Sequence, residues 1–132
     1  MRLAPFLALL LLAGCGSPAP DLFEVTRTGR DRNANVRLLV SDSGTVKCND
    51  EPPEALDGPR LLTARDVARD LARQAELAVS LEPGRNPTLR YSVKTESGTV
   101  EFSDRSQGRP EAFDRLVAFT ADVAENVCGL ER

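Results

Sequence analysis

The chain has 132 residues, with 17 basic and 20 acidic side chains and a formal charge of −3, which is enough for one domain and not two. Its mild acidity argues against a nucleic-acid surface, because such surfaces carry a basic stripe. No His occurs anywhere, which removes Ser-His and Cys-His catalysis and the commonest metal ligand.

The run from Leu3 to Ala13 is apolar, with one Pro and no charge. A membrane span needs roughly 20 apolar residues, so this run is too short to be one. With Arg2 in front and small residues behind, it has the three parts of a secretory signal. Leu12-Ala13-Gly14-Cys15 resembles the lipobox of bacterial lipoproteins. That resemblance implies diacylglycerol in thioether linkage on Cys15, cleavage before it and acylation of the new N-terminus. The alternative is an ordinary signal peptide cut nearby, with Cys15 incidental. Each buried methylene contributes about 0.8 kcal/mol, and two or more acyl chains give stable anchoring. Residues 1–14 are therefore expected to be a signal peptide, and "CGSPAPD" (Cys15 to Asp21) a lipidated tether. At about 3.3 Å per residue the tether reaches some 20 Å. The expected location is the extracytoplasmic side of the cell membrane.

Loss of residues 1–14 removes one charge, Arg2, and leaves 118 residues at a formal charge of −4. Two cysteines then remain, Cys48 and Cys128. An exported protein meets oxidising surroundings, so an even remainder points to one disulfide, with two separate buried thiols as the alternative. In the chain-entropy account, closing a loop of about 80 residues stabilises the fold by on the order of 4–5 kcal/mol.

Residues 22–132 are expected to form the single folded domain. "LFEVTR" (Leu22 to Arg27) alternates, with Phe23 and Val25 on one face, and predicts a strand; polar Thr28 to Asn35 follows as a turn. "VRLLV" (Val36 to Val40) and "TVKC" (Thr45 to Cys48) flank "SDSG" and predict a hairpin. Asn49 to Pro59 is a Pro-rich acidic loop. Thr63-Ala64-Arg65-Asp66 has capping-box spacing, and Ala64, Val67, Ala68, Leu71, Ala75 and Ala78 follow it on one helical face. Arg65, Arg69 and Arg73 line a neighbouring face, either solvated with Asp66 and Asp70 as partners or as a partner-binding stripe. Ser80 to Pro87 breaks the chain. Leu89, Tyr91 and Val93, then Val100 and Phe102, alternate around "TESG" as a second hairpin. Pro110 suits the first turn of a last helix carrying Phe113, Leu116, Val117, Thr120, Val123, Ala124 and Val127. Gly129 suits a left-handed position beyond it, with Leu130 placed for a contact.

"SDSGTVKCND" (Ser41 to Asp50) aligns with "TESGTVEFSD" (Thr95 to Asp104), and a loop and an amphipathic helix follow each. This predicts two hairpin-plus-helix units, with chance hairpin chemistry as the alternative. In that register Cys48 corresponds to Phe102, so both should face the core. The fold class predicted is α+β: an antiparallel sheet of about five strands with two helices packed on one face, in the order β-ββ-α-ββ-α.

No catalytic constellation survives inspection. No Ser has Lys three positions later. "DRNAN" (Asp31 to Asn35) imitates the start of a calcium loop, but Val36 stands where that loop needs Gly. Asp50, Glu51, Glu54 and Asp57 sit in a Pro-containing loop and are most simply solvated. A pair of carboxylates could serve glycoside hydrolysis, but a small chain without aromatic platforms makes a poor sugar cleft. No enzyme activity and no cofactor or metal are expected.

"VTRTG" (Val25 to Gly29) before a strand and a helix, then "YSVKTESGTVEFSD" (Tyr91 to Asp104), then Pro110 opening the last helix, is similar to the emfourin type. Emfourins are small bacterial inhibitors of thermolysin-like metalloproteases of the protealysin kind. The resemblance spans most of residues 22–127 and implies a protein partner, a secreted metalloprotease. The chain departs from the type by its lipobox, its cysteine pair and the lack of a second Gly after the first strand. No inhibitory residue matches position by position. The expected function is a membrane-anchored envelope lipoprotein that binds a protein, with protease inhibition as its sharper form. The alternative is a structural or accessory envelope protein without inhibitory activity. The loops Asn49–Pro59 and Ser80–Pro87 are expected to carry recognition, because loop side chains are free of core constraints.

Overall fold

Period-2 alternation in the strands and a 3.6-residue period in the helices place the large apolar groups between two layers. The computed structural model describes residues 21–131. The expected signal peptide, Cys15 and all of the tether except Asp21 lie outside them. In chain order the elements are β1 (Asp21–Gly29), β2 (Val36–Ser41), β3 (Thr45–Cys48), β4 (Glu54–Ala55), α1 (Gly58–Glu76), β5 (Leu89–Thr95), β6 (Gly98–Ser103) and α2 (Glu111–Asn126). The strands form one antiparallel sheet in the order β4-β3-β2-β1-β5-β6. Both helices pack on the same face of it, as the α+β reading expects.

β1 is central. Its Val25 pairs with Leu38 of β2 on one side and with Val93 of β5 on the other. Phe23, Val25 and Arg27 point towards the helices, beside buried Leu38, Val40, Val46, Cys48, Tyr91, Val93, Val100 and Phe102. The small buried residues of α1, Ala64 and Ala75, let it approach the sheet closely around Val67 and Leu71. α2 brings bulk instead, with Phe113, Leu116, Phe119 and Val123 buried. Phe102 stacks on Tyr91 at 5.0 Å and on Phe113 at 4.6 Å, while Phe23 meets Phe119 edge-on at 5.7 Å. Such ring pairs add about 0.5–1.5 kcal/mol beyond their buried area.

Three expectations are corrected here. The sheet has six strands, because Glu54 and Ala55, inside the loop expected over Asn49–Pro59, pair with Val46 and Thr45. Two residues are too few for alternation to announce a strand. The first helix starts at Gly58 rather than at Thr63. The Asp57 side chain accepts the Arg60 N–H at 2.9 Å and caps it, with Pro59 in the first turn. Thr63 is interior, its hydroxyl donating to the Pro59 carbonyl at 3.0 Å. The opening turn has no buried position, so the apolar period begins only at Ala64, and Thr63 mimics a cap just before it. At the other end, Ala78 lies past the helix at φ 49° and is exposed, so it does not belong to the buried face. Gly129 does adopt the left-handed conformation, at φ 71°, and Leu130 N–H donates to the Ala124 carbonyl at 2.8 Å.

The helices are tied to each other at two levels, in antiparallel order. Arg60 reaches both carboxylate oxygens of Asp122 at 2.8 and 3.1 Å, and Arg115 reaches Asp70 at 3.0 Å. Hydrogen bonds from Arg60 and then Asn126 hold the Asp122 carboxyl below its ordinary value of 3.8.

Two predictions follow from these contacts. Asp57→Ala should lower stability by about 1 kcal/mol, and Thr63→Ala by clearly less, in denaturant unfolding; the reverse order would return the helix start to Thr63. Asp122, with its folded value below its unfolded one, adds stability above about pH 4 that is lost as pH falls through the folded value. Asp122→Asn should therefore be less stable than the parent at neutral pH, by a small amount because the pair is partly solvated. The gap should close below pH 3.8; a gap constant with pH would show that the ion pair contributes nothing.

Candidate functional site

Because the helices cover one face, every second residue of each strand is left on the other. Thr26 of β1 lies between Arg37 and Ser92, and Glu24 between Leu39 and Lys94. Further along the rows, Lys47 stands opposite Leu39, Glu101 opposite Ser92, and Thr28 opposite Arg90. This helix-free face is a lawn of hydroxyls and mixed charges, with Leu22 and Leu39 as its half-buried apolar groups. Arg37 is held by Asp50 at 2.7 Å.

Two connected depressions mark the β5–β6 side of the face. One, of about 320 Å³, lies between Thr26, Ser92, Arg90 and the loop residues Leu81 and Pro83. The other, of about 190 Å³, is lined by Thr28, Gly29, Arg30, Pro87, Thr88 and Arg90. Gly29 makes the second one possible. A Cβ there would sit 2.7 Å from the Thr88 carbonyl oxygen, so only glycine lets the end of β1 lie against residue 88. The Gly29 N–H donates to Asn35 Oδ1 and the Thr88 N–H to Asp104 Oδ1, both at 3.0 Å.

Among the described residues, no group of three or more His, Cys, Asp or Glu side chains is placed to hold a metal ion. No helix among them is long and apolar enough to cross a membrane. Arg60 and Asp122, whose pKa values move, belong to the helix layer and line neither depression.

The expected recognition elements are not brought together. The Asn49–Pro59 loop borders the sheet at β4, and Ser80–Pro87 borders it beyond β6, at the opposite edge. Ser80–Pro87 is also fastened rather than free. Glu101 N–H donates to the Val79 carbonyl at 3.0 Å, and Leu81 N–H to the Glu101 carbonyl at 2.9 Å. The Ser103 hydroxyl bonds the Pro83 carbonyl, and Ser106 the Glu82 carbonyl at 2.7 Å. These bonds close most of the β6 edge, which would otherwise invite another strand. The arginine stripe of α1 points away from the sheet. Arg65 pairs with Asp42 at 2.7 Å and Arg69 with Asp66 at 2.9 Å, with Asp70 at 3.8 Å.

Cys48 and Cys128 are joined, with Cα atoms 5.9 Å apart across 80 residues of chain, and tie β3 to the end of α2. Cys15 lies outside the described residues. A buried charged group was missed in the sequence. Arg27 is in phase with Phe23 and Val25, and its relative exposure is 1%. It donates to the carbonyls of Ala34 at 2.8 Å and Asn33 at 3.1 Å, which fixes the β1–β2 turn from beneath. Asn33 in turn donates to the Glu131 carbonyl at 2.7 Å, so the same turn holds the chain's tail. The alternation of "VTR" was the available signal.

Comparison with known proteins found no matching family model, no matching curated protein and no matching solved structure.

The bridge carries a prediction. The folded domain should titrate no free thiol from Cys48 or Cys128, and reduction should lower its melting temperature by on the order of 10 °C or more. Two titratable thiols after native export, or a melting temperature unmoved by reduction, would remove the bridge from the account of stability.

Proposed function

We propose that the chain is a membrane-anchored, extracytoplasmic lipoprotein whose domain binds a protein partner. The observation that carries this reading is how the three cysteines are used. Two are joined within the domain, and disulfides persist in oxidising compartments, which supports export. The third, Cys15, ends the apolar run in Leu12-Ala13-Gly14-Cys15, which supports a lipid in place of that run as anchor. A polar, helix-free sheet face with two depressions supports a binding role.

Inhibition of a secreted thermolysin-like metalloprotease is the sharper form of the reading, supported by the strand and helix order shared with the emfourin type. The accessory reading, an envelope lipoprotein without inhibitory activity, is favoured by the features that type lacks, the lipobox and the cysteine pair.

Cys15→Ser should abolish labelled-palmitate incorporation and release the protein from membranes; label that survives the substitution sinks the anchor. Slowed peptide hydrolysis when the chain is added to a protealysin-like enzyme supports inhibition. Unchanged hydrolysis, together with a different protein captured from envelope extracts, supports the accessory role.

A further inference from the structure

The arginines of this chain fall into two populations. In the helix layer, Arg60, Arg65, Arg69 and Arg115 are each paired with aspartate, and Arg73 is the exception. At the end of the sheet where β1 finishes, Arg30, Arg32, Arg85, Arg90 and Arg105 are all exposed. None of these five has an ion-pair partner among the described residues. Carboxylates are present at that end, but Asp104 is already bonded to the Thr88 N–H, and neither it nor Asp31 lines the small depression between Arg30 and Arg90.

We propose that Arg30 and Arg90, with the hydroxyls of Thr28 and Thr88, form a recognition site for a carboxylate side chain on an extended acidic segment of a protein partner. Two guanidinium forks beside hydroxyl donors match a carboxylate, which accepts two parallel N–H bonds. The volume, about 190 Å³, suits one side chain. The wider depression shares Thr28 and Arg90 and runs on past Thr26, Ser92, Leu81 and Pro83, with the carboxylate Glu101 in its β6 wall, so the ligand's acidic side chain belongs at the arginine end. A ligand anchored at the arginines therefore has a trough to continue into, which fits a polypeptide better than an isolated anion. Arg32, Arg85 and Arg105, exposed at the same end of the sheet, add a field that draws an acidic segment in.

The position favours a protein over the protein's own membrane as the source of the anion. Any tether enters at Asp21, the start of β1, and Arg30 follows the end of that nine-residue strand. At about 3.3 Å per residue the site stands roughly 26 Å from Asp21. The assignment deepens the protein-binding reading and rests on it for the nature of the ligand, while the site can be tested without the partner.

The test uses the full lipidated chain in phosphatidylcholine vesicles, with fluorescent hexaglutamate and hexaglutamine peptides read by anisotropy. Hexaglutamate should bind, hexaglutamine should not, and binding should weaken as salt rises. The R30Q/R90Q double variant should bind at least about tenfold more weakly. R65Q/R69Q, which makes the same change in charge while losing only surface pairs, should bind as the parent does, with both variants showing the parent's circular dichroism. Equal weakening in both variants, or hexaglutamate binding retained by R30Q/R90Q, overturns the site. So does R30Q/R90Q-sensitive recruitment to phosphatidylglycerol vesicles without any peptide binding, since the ligand would then be lipid. A protein partner whose capture survives R30Q/R90Q also overturns the site and leaves the protein-binding reading standing.

Discussion

The structure depends on β1 being paired along both of its edges. β1 is the first strand in the chain, yet it is the seam between the β2–β3 hairpin and the β5–β6 hairpin. Its register with β5 runs from Phe23 opposite Thr95 to Gly29 opposite Leu89. Those partners are separated by most of the domain's length, so the pairing comes with a large loop-closure entropy. One strand can carry this because three of its side chains act at once. Phe23 and Val25 supply the apolar contacts to the helices, and Arg27 fixes the turn that sends the chain into β2. The Cys48–Cys128 bridge opposes the same entropy from elsewhere, by joining the first hairpin to the last helix.

Buried Arg27 is the place where local sequence rules and the fold part company. A guanidinium is expensive to bury unless its donors are satisfied. Here the carbonyls of Asn33 and Ala34 meet it at hydrogen-bonding distance. Those carbonyls point inwards because the turn contains Asn33 in the left-handed conformation, at φ 58°. The turn and the arginine therefore specify each other, and the turn's side chain then holds the tail at Glu131.

Much of the architecture was legible in the sequence because it rests on period. The strands around Val25, Leu38, Val46, Val93 and Val100 alternate cleanly, and each hairpin has its turn between them. What stayed hidden lacks a period. β4 has two residues, and the first turn of α1 is solvent-facing, so Thr63 rather than Asp57 looked like the cap. Phe119 fell outside the helical face read from the sequence, yet it fills the space over Phe23. The depressions on the open face could not be read at all, because they arise from alignment across strands, Thr28 against Arg90. The two loops expected to carry recognition are parted by the sheet's full width, six strands at about 4.8 Å spacing. No property of either loop alone carries that information.

That separation changes where recognition can sit. Ser80–Pro87, fastened to Ser103 and Ser106, is better described as a wall than as a flexible finger. A wall of this kind is useful, because a groove whose sides are already ordered loses little entropy when a ligand enters. It also rises beside a cluster of guanidinium groups that lack ion-pair partners among the described residues. In the helix layer, aspartates quench nearly every arginine, leaving little charge for an outside ligand to satisfy. On the lipoprotein reading, the direction of β1 completes the logic. The strand runs from Asp21, where a tether would join, so the ordered wall and the unpaired arginines lie at its far end.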